Sequence, residues 1–90
     1  MKIMLNNVNY TVIKNNRENL NVKEIEEKIT DYFLKFDYIL GDYAYGKLRL
    51  KGFNNSDNQN VKPYNNISYL DEYIEKYCAY GCHFFVLSKS

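Results

Sequence analysis

Short apolar runs, and apolar residues at every second position, predict strands near both ends of the chain. Residues 3–5 and 8–13 are two such segments, and Asn6 and Asn7 separate them. Asparagine tolerates the positive φ angles of a two-residue turn, so the pair predicts a β-hairpin. Residues 83–87, near the other end, are mostly apolar and predict a last strand.

A 3.6-residue period predicts a helix over residues 22–36. Asn21 precedes the segment and Glu24 follows three residues later, which is the spacing of a capping box and marks where the helix begins. Charged residues occupy the opposite face, so this helix is expected to cover a sheet. The apolar stripe consists of Val22, Ile25, Ile29, Tyr32, Phe33 and Phe36.

A second helix is predicted from Ser68 to Gly81. Ser68 and Asp71 have the spacing of a weaker capping box, and Gly81 can end the helix in the left-handed conformation. Its apolar stripe consists of Leu70, Tyr73, Ile74 and Tyr77.

Two strands are predicted between the helices. The first covers residues 37–45, and the Gly41-Asp42 pair within it predicts a bulge or bend. Gly46 can turn the chain into the second strand, residues 47–53. This second strand is followed by an asparagine-rich loop.

These elements follow the order β-β-α-β-β-α-β. That order predicts one α+β domain over residues 1–90, with an antiparallel-rich sheet and two helices. Without the first strand, the remaining βαββαβ order is also that of a ferredoxin-like arrangement, which is the alternative. Ninety residues suffice for one modest core.

The charge balance excludes a strong overall field. Twelve basic and 11 acidic residues leave a net charge of +1, so binding to nucleic acid requires a local basic patch. The chain shows no apolar segment long enough for a signal peptide or a membrane span. We therefore expect a cytoplasmic protein that does not bind membranes, with its two cysteines reduced.

Two blocks of sequence resemble a known family. The block at residues 36–53 contains Gly41-Asp42 and Lys51-Gly52-Phe53, and the block at residues 67–87 contains a Tyr-Cys…Gly-Cys…Phe-Val-Leu pattern. In order and spacing both are similar to the YutD-like family of small bacterial proteins, typical of low-GC Gram-positive bacteria. The resemblance implies an α+β fold and a cytoplasmic location. It implies no cofactor and no catalytic residue, because the family has no established activity.

The strand over residues 47–53 supplies the first candidate site. Lys47, Arg49 and Lys51 share one face of the strand, and Leu48 and Leu50 are expected to face the core. Cations beside aromatic rings can bind single-stranded RNA or a protein partner. The alternative is an ordinary solvated face, or an edge strand that lysines protect from aggregation. The tentative ligand-binding residues are Tyr43, Tyr45, Lys47, Arg49 and Lys51.

A second candidate lies near the end of the chain. Cys78, Cys82 and His83 offer two thiols and an imidazole within six positions, which could form a thiol or metal site. The set lacks a fourth protein ligand for structural zinc. The alternative is that both cysteines are small packed residues.

The remaining patterns do not favour an enzyme. Asp37 and Asp42 could act as an acid–base pair, but residues five apart on a regular strand face opposite sides. A phosphate-binding glycine loop and a nucleophile motif are both absent from the sequence. The sequence therefore favours a non-catalytic binding module for RNA or a protein, with a regulatory or redox role of the thiol cluster as the alternative. It does not indicate an oligomeric state.

Overall fold

A five-stranded antiparallel sheet organises the structure. A computed structural model describes residues 2–15, 20–44, 46–77 and 83–89. The strands are β1 (Lys2–Leu5), β2 (Val8–Asn15), β3 (Tyr38–Ala44), β4 (Lys47–Phe53) and β5 (Phe84–Lys89). They lie in the order β1-β2-β5-β3-β4, and each neighbouring pair is antiparallel. The predicted α+β class and element order are confirmed.

Three α-helices pack against this sheet in the described part of the chain. They are α1 (Val22–Lys28), α2 (Asp31–Leu34) and α3 (Leu70–Tyr77). Two 3-10 helices, Pro63–Asn65 and Ile67–Tyr69, lead directly into α3. None of the helices that the structure describes is long and apolar enough to cross a membrane.

The predicted hairpin at the start of the chain is confirmed. Leu5 pairs with Val8, so Asn6 and Asn7 form a two-residue turn. Their φ angles are 49° and 66°. Positive φ at both central residues matches the twist of the flanking strands, which explains why two asparagines stand here.

The single helix predicted over residues 22–36 is wrong, because the structure divides it into α1 and α2. Ile29 and Thr30 are extended, with ψ angles of 127° and 172°. Both side chains are β-branched, which lowers helix propensity and favours extended backbone. Ile29 is nevertheless buried in the core. Ile25, Ile29 and Phe36 of the predicted apolar stripe are buried, whereas Val22 and Tyr32 are exposed.

The start of α1 is stabilised as predicted. The backbone N–H of Glu24 donates to Asn21 Oδ1 over 3.0 Å, which satisfies one of the orphan donors of the first turn. We expect Asn21→Ala to lower the free energy of unfolding by about 1 kcal/mol, measured by urea denaturation. Asn9→Ala, at an exposed strand position, is the matched control and should change it by less than about 0.5 kcal/mol. Equal effects of the two substitutions would contradict the capping role.

The bulge or bend predicted at Gly41-Asp42 is also wrong. β3 pairs with β4 and β5 through both residues in unbroken register. A Cβ atom at Gly41 would lie 2.1 Å from Phe85 Cζ, so the missing side chain makes room for this ring. Gly52 on β4 likewise makes room for the ring of Phe36, because a Cβ atom at this position would lie 2.2 Å from Phe36 Cγ. Both glycines are therefore packing sites.

The sheet carries an apolar core on each face. Phe85 and Val86 are consecutive and fully buried, so they belong to opposite faces. The core on the α1 side consists of Leu5, Tyr10, Ile25, Ile29, Ile39, Leu48, Phe85 and Leu87. The core on the α3 side consists of Leu40, Phe53, Leu70 and Val86. The ferredoxin-like alternative is wrong, because it would place both helices against one face.

Candidate functional site

The predicted alternation along β4 is present. Leu48 is buried and Leu50 is half-buried, and both belong to the core on the α1 side. Lys47, Arg49 and Lys51 lie on the other face, which α3 covers in part. The three cations thus share one side of the sheet with the α3 helix.

Tyr43 does not join these cations, which corrects the predicted five-residue surface. It pairs with Leu48 and packs into the core on the α1 side, where its hydroxyl donates to Glu24 Oε1 over 2.8 Å. Directly paired residues share a face, so Tyr43 points away from the lysines. Tyr45 lies outside the described residues.

Arg49 forms a bidentate ion pair with Asp42 directly across the two strands. Arg49 Nε and Nη2 donate to Asp42 Oδ1 and Oδ2 over 2.8 and 2.9 Å. The Asp42 side chain is 7% exposed and that of Arg49 is 52% exposed. Asp42 therefore lies within a regular strand, and its carboxylate holds the arginine in place.

Asp37 has a separate structural role. Its Oδ2 accepts from the Asn55 backbone N–H and from Asn58 Nδ2, each at 2.9 Å. The Asn54 side chain in turn accepts from the Asp37 backbone N–H at 3.2 Å. These contacts order the asparagine-rich loop after β4. This polar segment is therefore a structured part of the fold.

Lys51 is surrounded by aromatic rings. Its ammonium nitrogen lies 5.2 Å from the ring centroid of Phe53, 5.6 Å from that of Tyr64 and 5.4 Å from that of Tyr73. Burial lowers the pKa of this lysine. None of the described residues forms a salt bridge with Lys51. Its ammonium group makes cation–π contacts instead. Lys51 is thus a cation held in position by rings.

Of the three rings around Lys51, that of Tyr73 comes from α3, and the other two come from β4 and the first 3-10 helix. Tyr73 packs edge-on against Phe53 at a centroid distance of 5.7 Å and is tilted against Tyr77 at 4.7 Å. The pKa of Tyr73 is raised by burial and by the Asp42 carboxylate, while Arg49 opposes the shift. The sequence assigned Tyr73 and Tyr77 to a buried stripe, yet Tyr77 is 52% exposed. The position of Tyr73 beside Lys51 depends on how α3 packs.

We define the cation–aromatic surface as five residues. Three of its members are exposed, namely Lys47, Arg49 and Tyr64, and Tyr64 is 63% exposed. The full set is Lys47, Arg49, Lys51, Tyr64 and Tyr73.

A cleft of about 470 Å³ adjoins this surface at the outer side of β4. Three lysines contribute to its lining, which includes no acidic side chain. Rings from the α2 region form one part of the wall, and the loop after β4 forms another. The lining residues are Tyr32, Phe33, Lys35, Phe36, Leu50, Lys51, Gly52, Asn54, Asn60, Lys62, Tyr64 and Asn65.

The thiol or metal site predicted at Cys78, Cys82 and His83 falls largely outside the described residues. Both cysteines do, whereas His83 is exposed just before β5 and its carbonyl accepts from the Tyr43 N–H at 3.1 Å. Within the residues that the structure describes, no three His, Cys, Asp or Glu side chains cluster. The thiol or metal site stays a prediction.

Comparison with known proteins places the chain in a family. The family model described as "Putative antitoxin YutD-like" matches residues 4–88. The chain belongs to the YutD-like family. This confirms the family resemblance of the two sequence blocks.

A similar sequence and a similar solved structure both come from Bacillus subtilis. "Putative antitoxin YutD" of strain 168 is 40% identical over 87 residues, which are 97% of this chain and 96% of that protein. The solution NMR structure of protein yutD is 39% identical, with a TM-score of 0.79 over 100% of this chain and 82% of that one. The fold of this chain thus matches that of the Bacillus subtilis protein over the full length of the chain.

Proposed function

We propose that this protein is a non-catalytic cytoplasmic module that binds a protein partner through the cation–aromatic surface. The observation that carries the proposal is the position of Lys51, whose ammonium group is held by three rings and has no carboxylate partner among the described residues. Aromatic residues and arginine provide much of the binding energy of protein interfaces. A preordered ammonium group can bind a carboxylate of the partner with little further loss of side-chain conformational entropy.

The similarity to proteins named "Putative antitoxin" supports a partner of a particular kind. An antitoxin in the ordinary sense of the word neutralises another molecule. We infer that this chain acts in the same way, by covering a surface that its partner needs. Such a role needs stable binding and no chemistry of its own.

The surface supports a protein partner better than RNA. Arg49 already directs two of its donors to Asp42, and this buried carboxylate would repel a phosphate. Stacking of bases requires open ring faces, whereas Tyr73 is half-buried and packed edge-on by Phe53. The net charge of +1 adds no long-range attraction for RNA.

Affinity capture with nuclease-treated cell extract tests the proposal. We expect wild-type protein to retain a partner in fixed stoichiometry, and Lys47→Glu/Tyr64→Ala to weaken binding about tenfold or more, since interface anchors cost over about 1.4 kcal/mol when truncated. Isothermal titration with the purified partner measures the change.

The control is Lys2→Glu/Met4→Ala, which changes the same charge and an exposed apolar side chain on β1. It should bind like wild type. Capture that disappears on nuclease treatment, or that both double variants weaken equally, would contradict a protein partner at this surface.

A further inference from the structure

The outer edge of β4 offers backbone groups to an additional strand. β4 is the last strand of the sheet order, and β3 is its partner. Asn54, just beyond β4, donates its N–H to the Asn65 carbonyl at 2.7 Å and accepts from the Ile67 N–H at 2.8 Å. The backbone of Asn54 therefore points away from β3.

Backbone direction alternates along a strand, so Gly52, Leu50 and Leu48 also direct their N–H and C=O groups outward. Arg49 and Lys51 direct theirs toward β3. Among the described residues, strand pairing along this edge ends at the bridge between Asn54 and Asn66. From there the chain turns into α3, and within the described residues the outward groups of Leu48, Leu50 and Gly52 pair with no second strand.

The cleft lies beside this edge. Leu50 and Gly52 belong to its lining, together with the rings of Tyr32, Phe36 and Tyr64. A strand added to β4 would place its side chains alternately toward the two faces of the sheet. The α2 region is on one of these faces and the cation–aromatic surface is on the other, so both sets of side chains would find contacts.

The charge of the cleft selects the occupant. Lys35, Lys51 and Lys62 line it, and none of the three has a salt bridge within the described residues. We propose, resting on the protein-binding function above, that an extended acidic segment of the partner adds to β4 as a further strand and places carboxylates beside these lysines. Main-chain hydrogen bonds would supply affinity, and the lysines and rings would supply specificity.

Amide hydrogen exchange measured by NMR tests strand addition directly. The probe is an acetylated, amidated hexapeptide of alternating glutamate and valine. In free protein, the outward amides of Leu48, Leu50 and Gly52 should exchange faster than the inward amides of Arg49 and Lys51, with the largest difference at Leu50, the least buried of the three. Saturating peptide should slow the three outward amides about tenfold or more. Unchanged exchange at those three amides would overturn the inference.

Charge reversal tests the choice of an acidic segment. Lys35→Glu/Lys62→Glu should weaken hexapeptide binding about tenfold, whereas Lys2→Glu/Lys23→Glu, with the same change in net charge at exposed sites elsewhere, should bind like wild type. Binding of a lysine–valine hexapeptide with equal affinity would overturn the inference. So would equal binding of a twelve-nucleotide polyuridine that leaves the outward amides unprotected, because the cleft would then be a general anion site.

The two proposals fail in different ways. If wild-type protein captures its partner and the hexapeptide protects no outward amide, strand addition is wrong and the protein-binding function stands. If wild-type protein captures no partner, the protein-binding function is wrong whatever the peptide does.

Discussion

Replacing Gly41 with alanine is expected to lower the free energy of unfolding by about 3 kcal/mol, at the upper end of the usual cost of overpacking. The added Cβ would lie 2.1 Å from Phe85 Cζ and 2.6 Å from both Cε atoms. Phe85 is fully buried on the middle strand of the sheet, and a close-packed interior leaves the ring little room to move. Urea denaturation measures the loss, which corresponds to roughly 15 °C in melting temperature for a domain of this size.

Two further variants keep this prediction specific. Gly46→Asn adds a side chain where no atom lies within 4 Å of the Cβ, at a φ of 75° that asparagine tolerates, and should cost less than about 0.5 kcal/mol. Phe85→Leu removes the clashing ring atoms, so the double variant Gly41→Ala/Phe85→Leu should be more stable than the sum of the single effects implies. Strict additivity would show that the ring is not the cause.

Replacing Arg49 with methionine is expected to cost about 2 kcal/mol. The substitution keeps an apolar stem but leaves the buried Asp42 carboxylate without its bidentate partner. Breaking a fully buried pair costs more than this. The Arg49 side chain is 52% exposed, however, so water can reach part of the carboxylate and reduces the loss. Urea denaturation at neutral pH measures it.

A double-mutant cycle separates the pair from the strand position. Asp42→Leu/Arg49→Met removes both charges and should recover most of the stability, since an apolar pair can replace a buried ion pair. Lys47→Met is the matched control on the same strand face and should cost less than about 0.5 kcal/mol. If Arg49→Met is as mild as Lys47→Met, the pair does not stabilise the fold. Because Arg49 variants are expected to lose stability, any weakening of their partner binding must be compared with their measured free energy of unfolding.

Local patterns predicted the elements that local chemistry determines. Asn6 and Asn7 form the turn because asparagine tolerates positive φ, and Asn21 begins α1 because its side chain accepts from the first turn. The alternation of Leu48 and Leu50 with the cations of β4 follows from the period of a strand. These features depend on neighbours within a few residues, so the sequence contains enough information to place them.

The placement of Tyr43 was wrong for a geometric reason. Tyr43 and Lys47 are four positions apart, so continuous alternation would put them on one face. Ala44 pairs with Lys47, however, and only two positions separate these partners. Directly paired residues share a face, and the even–odd assignment is therefore reversed between the strands of such a hairpin. Counting from the Gly46 turn would have paired Tyr43 with Leu48.

Other differences depend on contacts between distant segments. Gly41 makes room for the ring of Phe85, and Gly52 makes room for the ring of Phe36. Each glycine is distant in sequence from its ring, so a local sequence pattern cannot predict the contact. The cleft likewise combines the α2 region, the edge of β4, and Lys62, Tyr64 and Asn65 from the segment after β4. A polar, asparagine-rich loop has no periodic pattern, so its role as a wall could only emerge from the folded structure.

The position of β5 affects how the protein is made. β5 joins β2 to β3 in the middle of the sheet, although it follows all other described strands in the sequence. During translation, the β1–β2 and β3–β4 hairpins can each form by local contacts, but they remain separate until residues 84–89 leave the ribosome. Closing such long-range contacts is slow compared with forming hairpins. A nascent chain therefore exposes the inner edges of both hairpins, and the strand synthesised after the other four brings them together.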